Sequence, residues 1–229
     1  MTNEASKTNL IRGPEFIEKY LSGKVIDIGC GVDRVTKTAE PFDLEHGDAC
    51  NILEYRQAES YDAAHSSHCL EHMANVPGAL RQWWALIKPG GYLILVVPDE
   101  DLYEQGRFPS VFNTDHKATF RIDKSDSWSP VSYDLRTLVE GLENAEIVSI
   151  DRQDSGYDYT MQRTRVSGFG HVLFKLNSVR RRISRSLHLD GTRINKLWDR
   201  LFFTIGAPID QTLGGAVAQI QVVAHKRSE

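Results

Sequence analysis

Three observations predict an α/β fold with a mostly parallel sheet and helices packed against it. "KVIDIGCG" (24–31) is an apolar strand pattern that runs directly into a glycine turn. "SYDAAHSS" (60–67), "VPGALRQWWALI" (76–87) and "YLILVV" (92–97) follow as strand, helix and strand, the order of a right-handed crossover between parallel strands. "AEIVSI" (145–150) and "AVAQIQVVAH" (216–225) add two strand patterns toward the end of the chain.

The elements follow from residue type and spacing. Pro14 suits a helix start, and Phe16, Ile17, Tyr20 and Leu21 then share one stripe before Ser22-Gly23 break it. "AEPFDL" (39–44) is a short strand candidate, and "YRQAES" (55–60) introduces the next strand. In the central helix Leu80, Trp83, Trp84 and Ile87 recur at i, i+3, i+4, i+7, and "KPGG" stops the pattern. "SYDLRTLVEGL" (132–142) reads as a further helix, and no internal repeat is visible.

At 229 residues, 41% hydrophobic and 25% charged with a net charge of −4, the chain suits one embellished soluble domain, 1–229. Its three cysteines are odd in number and lack C-x-x-C spacing, so neither a disulfide framework nor a zinc ribbon is indicated, and a reducing cytoplasm is expected. The start "MTNEASKTNL" has no apolar signal core, and the run at 92–97 is too short to span a bilayer.

Charge is unevenly spread. From Gln162 to Arg200 there are ten basic residues and two acids, a balance of +8, which leaves −12 for the rest of the chain. Val172, Leu176, Val179, Ile183 and Leu187, then Ile194, Leu197, Trp198, Leu201 and Phe202, recur at helical spacing on either side of a turn at "LDGT" (189–192). Residues 162–205 are therefore expected to form an inserted helical hairpin with a basic face. Its apolar side would pack on the domain or on a second subunit, as in a homodimer, or the hairpin would meet anionic lipid or a phosphate-bearing substrate.

Asp27, Gly29 and Gly31 lie where a strand meets a turn, the place where a ligand approaches the edge of a parallel sheet. A dinucleotide site would need a third glycine, but the residue there is Asp33, which repels phosphate. A phosphate-free, positively charged cofactor fits better. Asp43 ends the next strand, where a carboxylate can hold ribose hydroxyls, and Asp48 in "HGDACNIL" is placed for an adenine amine.

"VIDIGCG", "GDA", "SYDAAHSSHCLEHM" and "ALIKPGGYLILVVPD", in that order, resemble the class I S-adenosylmethionine-dependent methyltransferases. The likeness is to the broad type 11-like subgroup with L-E-H after the fourth strand, and it covers about residues 14 to 151 and the last strand. It implies a Rossmann-like, seven-stranded, mostly parallel sheet with helices on both faces and the basic hairpin inserted before the last strand. By the same resemblance Asp27, Gly29, Cys30 and Gly31 contact the methionine end of S-adenosylmethionine, and Asp43, with Glu45 as the alternative, takes the ribose. Asp48 and Ala49 line the adenine pocket, and Ser67 and His68 the methyl donor. Two departures stand out: Asp33 replaces the third glycine, and only eleven residues (32–42) separate Gly31 from Asp43, too few for a crossover helix.

A hydroxyl acceptor benefits from a base, and histidine suits that role near neutral pH. His116, in the substrate-side segment 99–130, is the preferred candidate, with Asp99 at the strand end and His72 as further candidates. Tyr103 and Arg107 are placed to orient a polar acceptor. His68, Glu71 and His72 also spell H-x-x-E-H, a zinc pattern, but a strand feeds into it, so a shared helical face is not expected and no metal ligand is assigned. "SSHCLEH" lacks the N-P-P-Y-like run that grips a nucleobase, which lowers a nucleic-acid target. The overall resemblance to methyltransferases encoded with bacterial surface-polysaccharide enzymes implies O-methylation of a sugar or sugar-linked phosphate. The alternatives are an RNA or small-molecule methyltransferase, a non-catalytic cofactor-binding protein and an H-x-x-E-H metallohydrolase.

Overall fold

The computed structural model describes residues 4–186 and 193–228. Its elements are α1 (Glu4–Tyr20), β1 (Val25–Ile28), β2 (Glu40–Phe42), β3 (Tyr61–Ser67), α2 (Val76–Ala85), β4 (Ile87–Pro98), β5 (Thr119–Arg121), β6 (Ser132–Asp134), α3 (Leu135–Glu140), β7 (Ala145–Gln153), α4 (Gly168–Ser186), α5 (Arg193–Thr204) and β8 (Gln219–Lys226). A sheet in the order β2-β1-β3-β4-β8-β7 forms the centre: the first four strands pair in parallel, and β8 runs antiparallel between β4 and β7. β5 and β6 make a separate parallel pair.

The sheet thus has six strands among the described residues where the resemblance implied seven. The cause is local. Only Leu44 to Gly47 separate Asp43 from Asp48, too few to cross over and add another parallel strand, and Asp48 then caps a 3-10 turn over Ala49–Glu54, accepting from Cys50 N. The short connection 32–42 forms no helix, in keeping with its length.

Helices cover both faces. On one, Ile26, Ile28 and Leu95 pack against Leu80, Trp83 and Trp84 of α2 and Leu135 and Val139 of α3. On the other, Val25, Ala63 and Ile94 meet Leu21 and the Phe16, Ile17 and Tyr20 stripe of α1. Burying a large apolar side chain of this kind contributes about 1.5–3 kcal/mol, which is why the stripes dictate the faces. Asn75 caps α2 through Gly78 N, and Trp83 Nε1 donates to Ala49 O, fixing the 3-10 turn to the helix. Ile87, the last member of the stripe, opens β4 instead of closing α2.

α1 begins earlier than Pro14, at Glu4, and bends at Gly13, whose φ of +74° only glycine adopts freely. Arg12, just before the bend, reaches between strands: Nε donates to Gln221 Oε1 of β8 at 2.6 Å and Nη1 meets His65 Nε2 of β3 at 3.1 Å. The start of α1 is thereby held over the end of the sheet where the glycine turn lies.

α4 and α5 pack against each other within the segment expected as a hairpin, while the "LDGT" turn lies outside the described residues. Its charges are arranged differently from a free basic face. Arg180 and Arg181 both pair with Asp199 across the hairpin, and Arg163 lies over the Phe203 ring, 4.0 Å from its centroid. The apolar stripe is largely outward: Val172, Leu176, Val179 and Ile183 on α4 and Ile194, Leu197, Trp198 and Leu201 on α5 are exposed.

Candidate active site

A cavity of about 420 Å³ opens at the ends of β1 and β3. Its floor is the turn after β1. Gly29 and Gly31 adopt left-handed backbone, at φ +73° and +54°, and a Cβ on Gly29 would lie 2.4 Å from Cys69 Sγ. Gly29 N donates to Phe42 O at 2.7 Å and Gly31 N to Asp43 Oδ2 at 2.6 Å, so β2 and the turn are tied together and Asp43 faces the cavity.

Asp27 sits under this turn, buried. Its Oδ2 accepts from Val35 N and its Oδ1 from His65 Nδ1, both at 2.6 Å. Burial lowers the His65 pKa, against the pull of Asp27 and with the help of Arg12. Arg12 itself is brought down to about 10 by burial, although Asp27 opposes the change. Burial also raises the Cys30 thiol to about 11, aided by Asp27 and Asp43, so the thiol stays protonated at neutral pH.

Asp33, the residue in place of a third glycine, accepts from Ser6 N at 2.9 Å and from Ser6 Oγ. This brings Glu4 and Ala5 into the cavity wall. The substitution exchanges a phosphate-type turn for a latch on α1.

The opposite wall comes from the segment after β4. Lys117 N donates to Glu71 O at 2.7 Å, which brings His116 beside the L-E-H turn. His116 Nδ1 is 2.6 Å from Glu104 Oε1, its Nε2 is 3.9 Å from Glu71 Oε1, and Tyr103 stacks on its ring. His72 Nδ1 meets Asp115 Oδ2 at 2.9 Å, and its ring lies edge-on to His116. His68, at φ +54°, places Nδ1 3.5 Å from Glu71 Oε1 and Nε2 3.0 Å from Gln219 Oε1. Burial works against protonation of His68 and His116, but Glu71 outweighs it for His68, and Glu104 with Glu71 for His116, so both pKa values are raised. Glu71 is desolvated, yet the three histidines around it hold its pKa below the usual carboxylate value.

The cavity therefore unites Asp27, Gly29, Cys30, Gly31, Asp43, Ser67 and His68 of the expected cofactor set with His72 and His116 of the expected catalytic set. Five expected residues lie elsewhere, among them Arg107, whose Nη1 donates to Val166 O at 3.3 Å. Asp48 is used as the 3-10 cap, and the Ala49 carbonyl is taken by Trp83. Asp99 is buried against Arg152, 2.8 Å away, and caps the helical turn Glu100–Glu104 through Asp101 N and Leu102 N. Glu45 is exposed beside His46. Residues that the sequence did not single out, Glu104 and Asp210 among them, join through long-range packing for which no local pattern exists.

Six carboxylates (Glu4, Asp27, Asp33, Asp43, Glu71 and Asp210) line the cavity, and no lysine or arginine does so among the described residues. That donor set suits a ligand bearing positive charge and hydroxyls, and it suits S-adenosylmethionine, whose sulfonium and amine are cationic and whose ribose offers a diol.

A family model described as a methyltransferase domain matches residues 7–134. Among solved structures, a SAM-dependent methyltransferase from Archaeoglobus fulgidus is similar at 15% identity and a TM-score of 0.51, with 98% of this chain and 95% of that chain covered. A candidate methyltransferase from Bacillus halodurans is similar at 12% identity and the same TM-score, over 98% of this chain and all of that one. At such identities the likeness is one of fold. No curated protein sequence matches the chain.

Proposed function

The chain belongs to the methyltransferase-domain family, as an S-adenosylmethionine-dependent enzyme, and from that we propose that it O-methylates a hydroxyl on a phosphate-bearing acceptor of the sugar class. When bound, S-adenosylmethionine supplies an electrophilic methyl group on its sulfonium. Asp43 would take the ribose hydroxyls, and the acidic turn around Asp27 and Cys30 the cationic end. Much of the remaining task is alignment of the acceptor oxygen behind the methyl group. His72, His116 and Tyr103 form the wall against which the acceptor hydroxyl lies. Tyr103 is held neutral there, its phenol pKa pushed up by burial.

The observation that carries the acceptor class is a second cavity. It measures about 180 Å³, is lined by Arg181 and Arg182, and shares Asp210 and Leu213 with the first. An acceptor can thus place a hydroxyl at the histidine wall and a phosphate against arginine. The outward apolar stripe of the hairpin, with the exposed Lys175, Arg182, Lys196 and Arg200 among it, supports contact with an anionic membrane. Among the described residues no helix is long and apolar enough to cross a membrane, so such contact would be peripheral.

Calorimetry with S-adenosylhomocysteine tests the cofactor half. Wild type should bind, and Asp43→Ala should weaken binding by about 10-fold or more, the scale of a lost charged hydrogen bond. Asp43 is the residue to change because the bonds it accepts from Gly31 N and Leu44 N are exposed, whereas Asp27→Ala would strip buried partners from His65 and Val35. Labelled methyl transfer to phosphorylated and dephosphorylated sugars tests the acceptor half. Arg182→Ala should raise KM for the phosphorylated acceptor while leaving kcat nearly unchanged, and equal use of both acceptors would sink the phosphate assignment.

A further inference from the structure

The L-E-H turn holds a buried carboxylate that histidines face but none hydrogen-bonds. Glu71 is 1% exposed, and neither of its carboxylate oxygens has a hydrogen-bond partner. Its nearest cationic groups, His68 Nδ1 at 3.5 Å and His116 Nε2 at 3.9 Å, stand off from it. A buried carboxylate whose counter-charges stand at that distance, with no hydrogen bond, is only partly compensated. Ligand atoms of Glu71, His72 and His116 lie within 4.8 Å of one another, and all three residues line the main cavity.

We propose that Glu71, His72 and His116 form a binding site for one divalent transition-metal ion on the acceptor wall of the cavity. The surrounding groups are placed as the supports of metal-bound histidines are. Glu104 takes His116 Nδ1 and leaves Nε2 facing Glu71, and Asp115 holds His72 through its Nδ1. One carboxylate oxygen and two imidazoles suit zinc, manganese, iron(II) or cobalt(II), whereas magnesium and calcium favour all-oxygen sets.

The site is assembled from distant parts of the chain. The H-x-x-E-H spacing reads as two histidines about one glutamate, but the structure pairs Glu71 and His72 with His116, delivered by the Lys117 N to Glu71 O bond. His68 keeps Nδ1 3.5 Å from Glu71 Oε1 while its Nε2 meets Gln219, and it stands outside the three-residue group. The use of the ion rests on the methyltransferase reading. It would bind the acceptor hydroxyl and acidify it, the hydroxyl proton passing to solvent. The oxygen would then form its bond to the methyl carbon while the sulfonium C–S bond breaks and its electron pair stays on sulfur.

The test is titration of the chelator-treated chain with Co²⁺, followed by visible absorption and calorimetry, with S-adenosylhomocysteine binding measured on the same samples. One Co²⁺ per chain is expected, displaced by Zn²⁺. Affinity should fall about 10-fold or more in Glu71→Gln and in His72→Ala, while S-adenosylhomocysteine still binds both variants. His72 is partly exposed, so its variant guards against a folding failure at Glu71. Protein that binds S-adenosylhomocysteine but takes up no stoichiometric Co²⁺ would overturn the metal site, and would leave protonated histidines as the counter-charge of Glu71. Unchanged affinity in both variants would overturn it equally. Co²⁺ bound with the expected losses, in protein that ignores S-adenosylhomocysteine, would support the site and sink the methyltransferase reading alone.

Discussion

His65 Nδ1 donates to Asp27 Oδ1 at 2.6 Å beneath the cofactor turn, in a pair screened from solvent. The tautomer follows from the third partner. Arg12 can only donate, so His65 Nε2 accepts from it at 3.1 Å and the ring proton sits on Nδ1. The ring is therefore neutral, in agreement with its lowered pKa. Asp27, the residue most easily read as a cofactor ligand, also joins α1, β1 and β3 in one polar core.

That pair predicts a pH dependence of stability. The unfolded ring titrates near 6.5 and the folded ring at lower pH. Stability from this group is complete above 6.5 and falls as pH drops below it, by up to about 1.4 kcal/mol per unit, until the folded ring takes its proton. His68 and His116, with raised values, act in the opposite sense. Comparison with His65→Gln in urea unfolding between pH 7.5 and 5 isolates the term: the variant should lose stability less steeply on acidification. Parallel slopes would show that His65 does not titrate as described.

The same region shows where sequence reading reaches its limit. Strands and faces were legible because Ile26 and Ile28, and the Leu80, Trp83, Trp84 stripe, obey short periods that burial enforces. Asp48 was not, because a side chain that caps a turn and one that receives a ligand look alike in sequence, and here it caps Ala49–Glu54. Asp99 likewise looked free at a strand end, but Arg152, far along the chain, claims it. The meeting of Glu71 with His116 depends on backbone bonds between distant segments, for which no spacing rule exists.

Gly29→Ala should be among the more damaging single changes. The new Cβ would meet Cys69 Sγ at 2.4 Å and Cys69 Cβ at 2.5 Å, and φ +73° is itself strained for alanine. A loss of about 2 kcal/mol or more is expected in denaturant unfolding, together with weaker S-adenosylhomocysteine binding. Gly90→Ala, also at positive φ but with open space around it, is the control and should cost about 1 kcal/mol. Equal losses would mean that packing against Cys69 is unimportant.

Asp33→Gly would restore the glycine that the family resemblance implied, and would release the α1 latch. Ser6 N and Oγ would lose their acceptors, while Arg12 would keep its bonds to Gln221 and His65. Hydrogen exchange should therefore quicken over residues 4–8 and change little around Arg12, with a stability loss of about 1 kcal/mol or less because the bond is exposed. Unchanged exchange at the start of α1 would show that other contacts hold it.

The hairpin gives the remaining prediction. Leu197 is 66% exposed and Leu176 56%, beside basic residues whose charge an anionic bilayer would balance. Arg180 and Arg181 are already matched by Asp199, so attraction should come from Lys175, Arg182, Lys196 and Arg200, at about 1 kcal/mol each near a charged surface. Co-sedimentation with phosphatidylserine-containing vesicles should be strong at low salt, weak with neutral vesicles, and reduced about 10-fold by Leu197→Ser. The Trp198 ring, partly exposed on α5, should report the contact as a blue shift in fluorescence. If the protein ignores the vesicles and instead sediments as a dimer that Leu197→Ser dissociates, the stripe is a subunit interface and the membrane assignment falls.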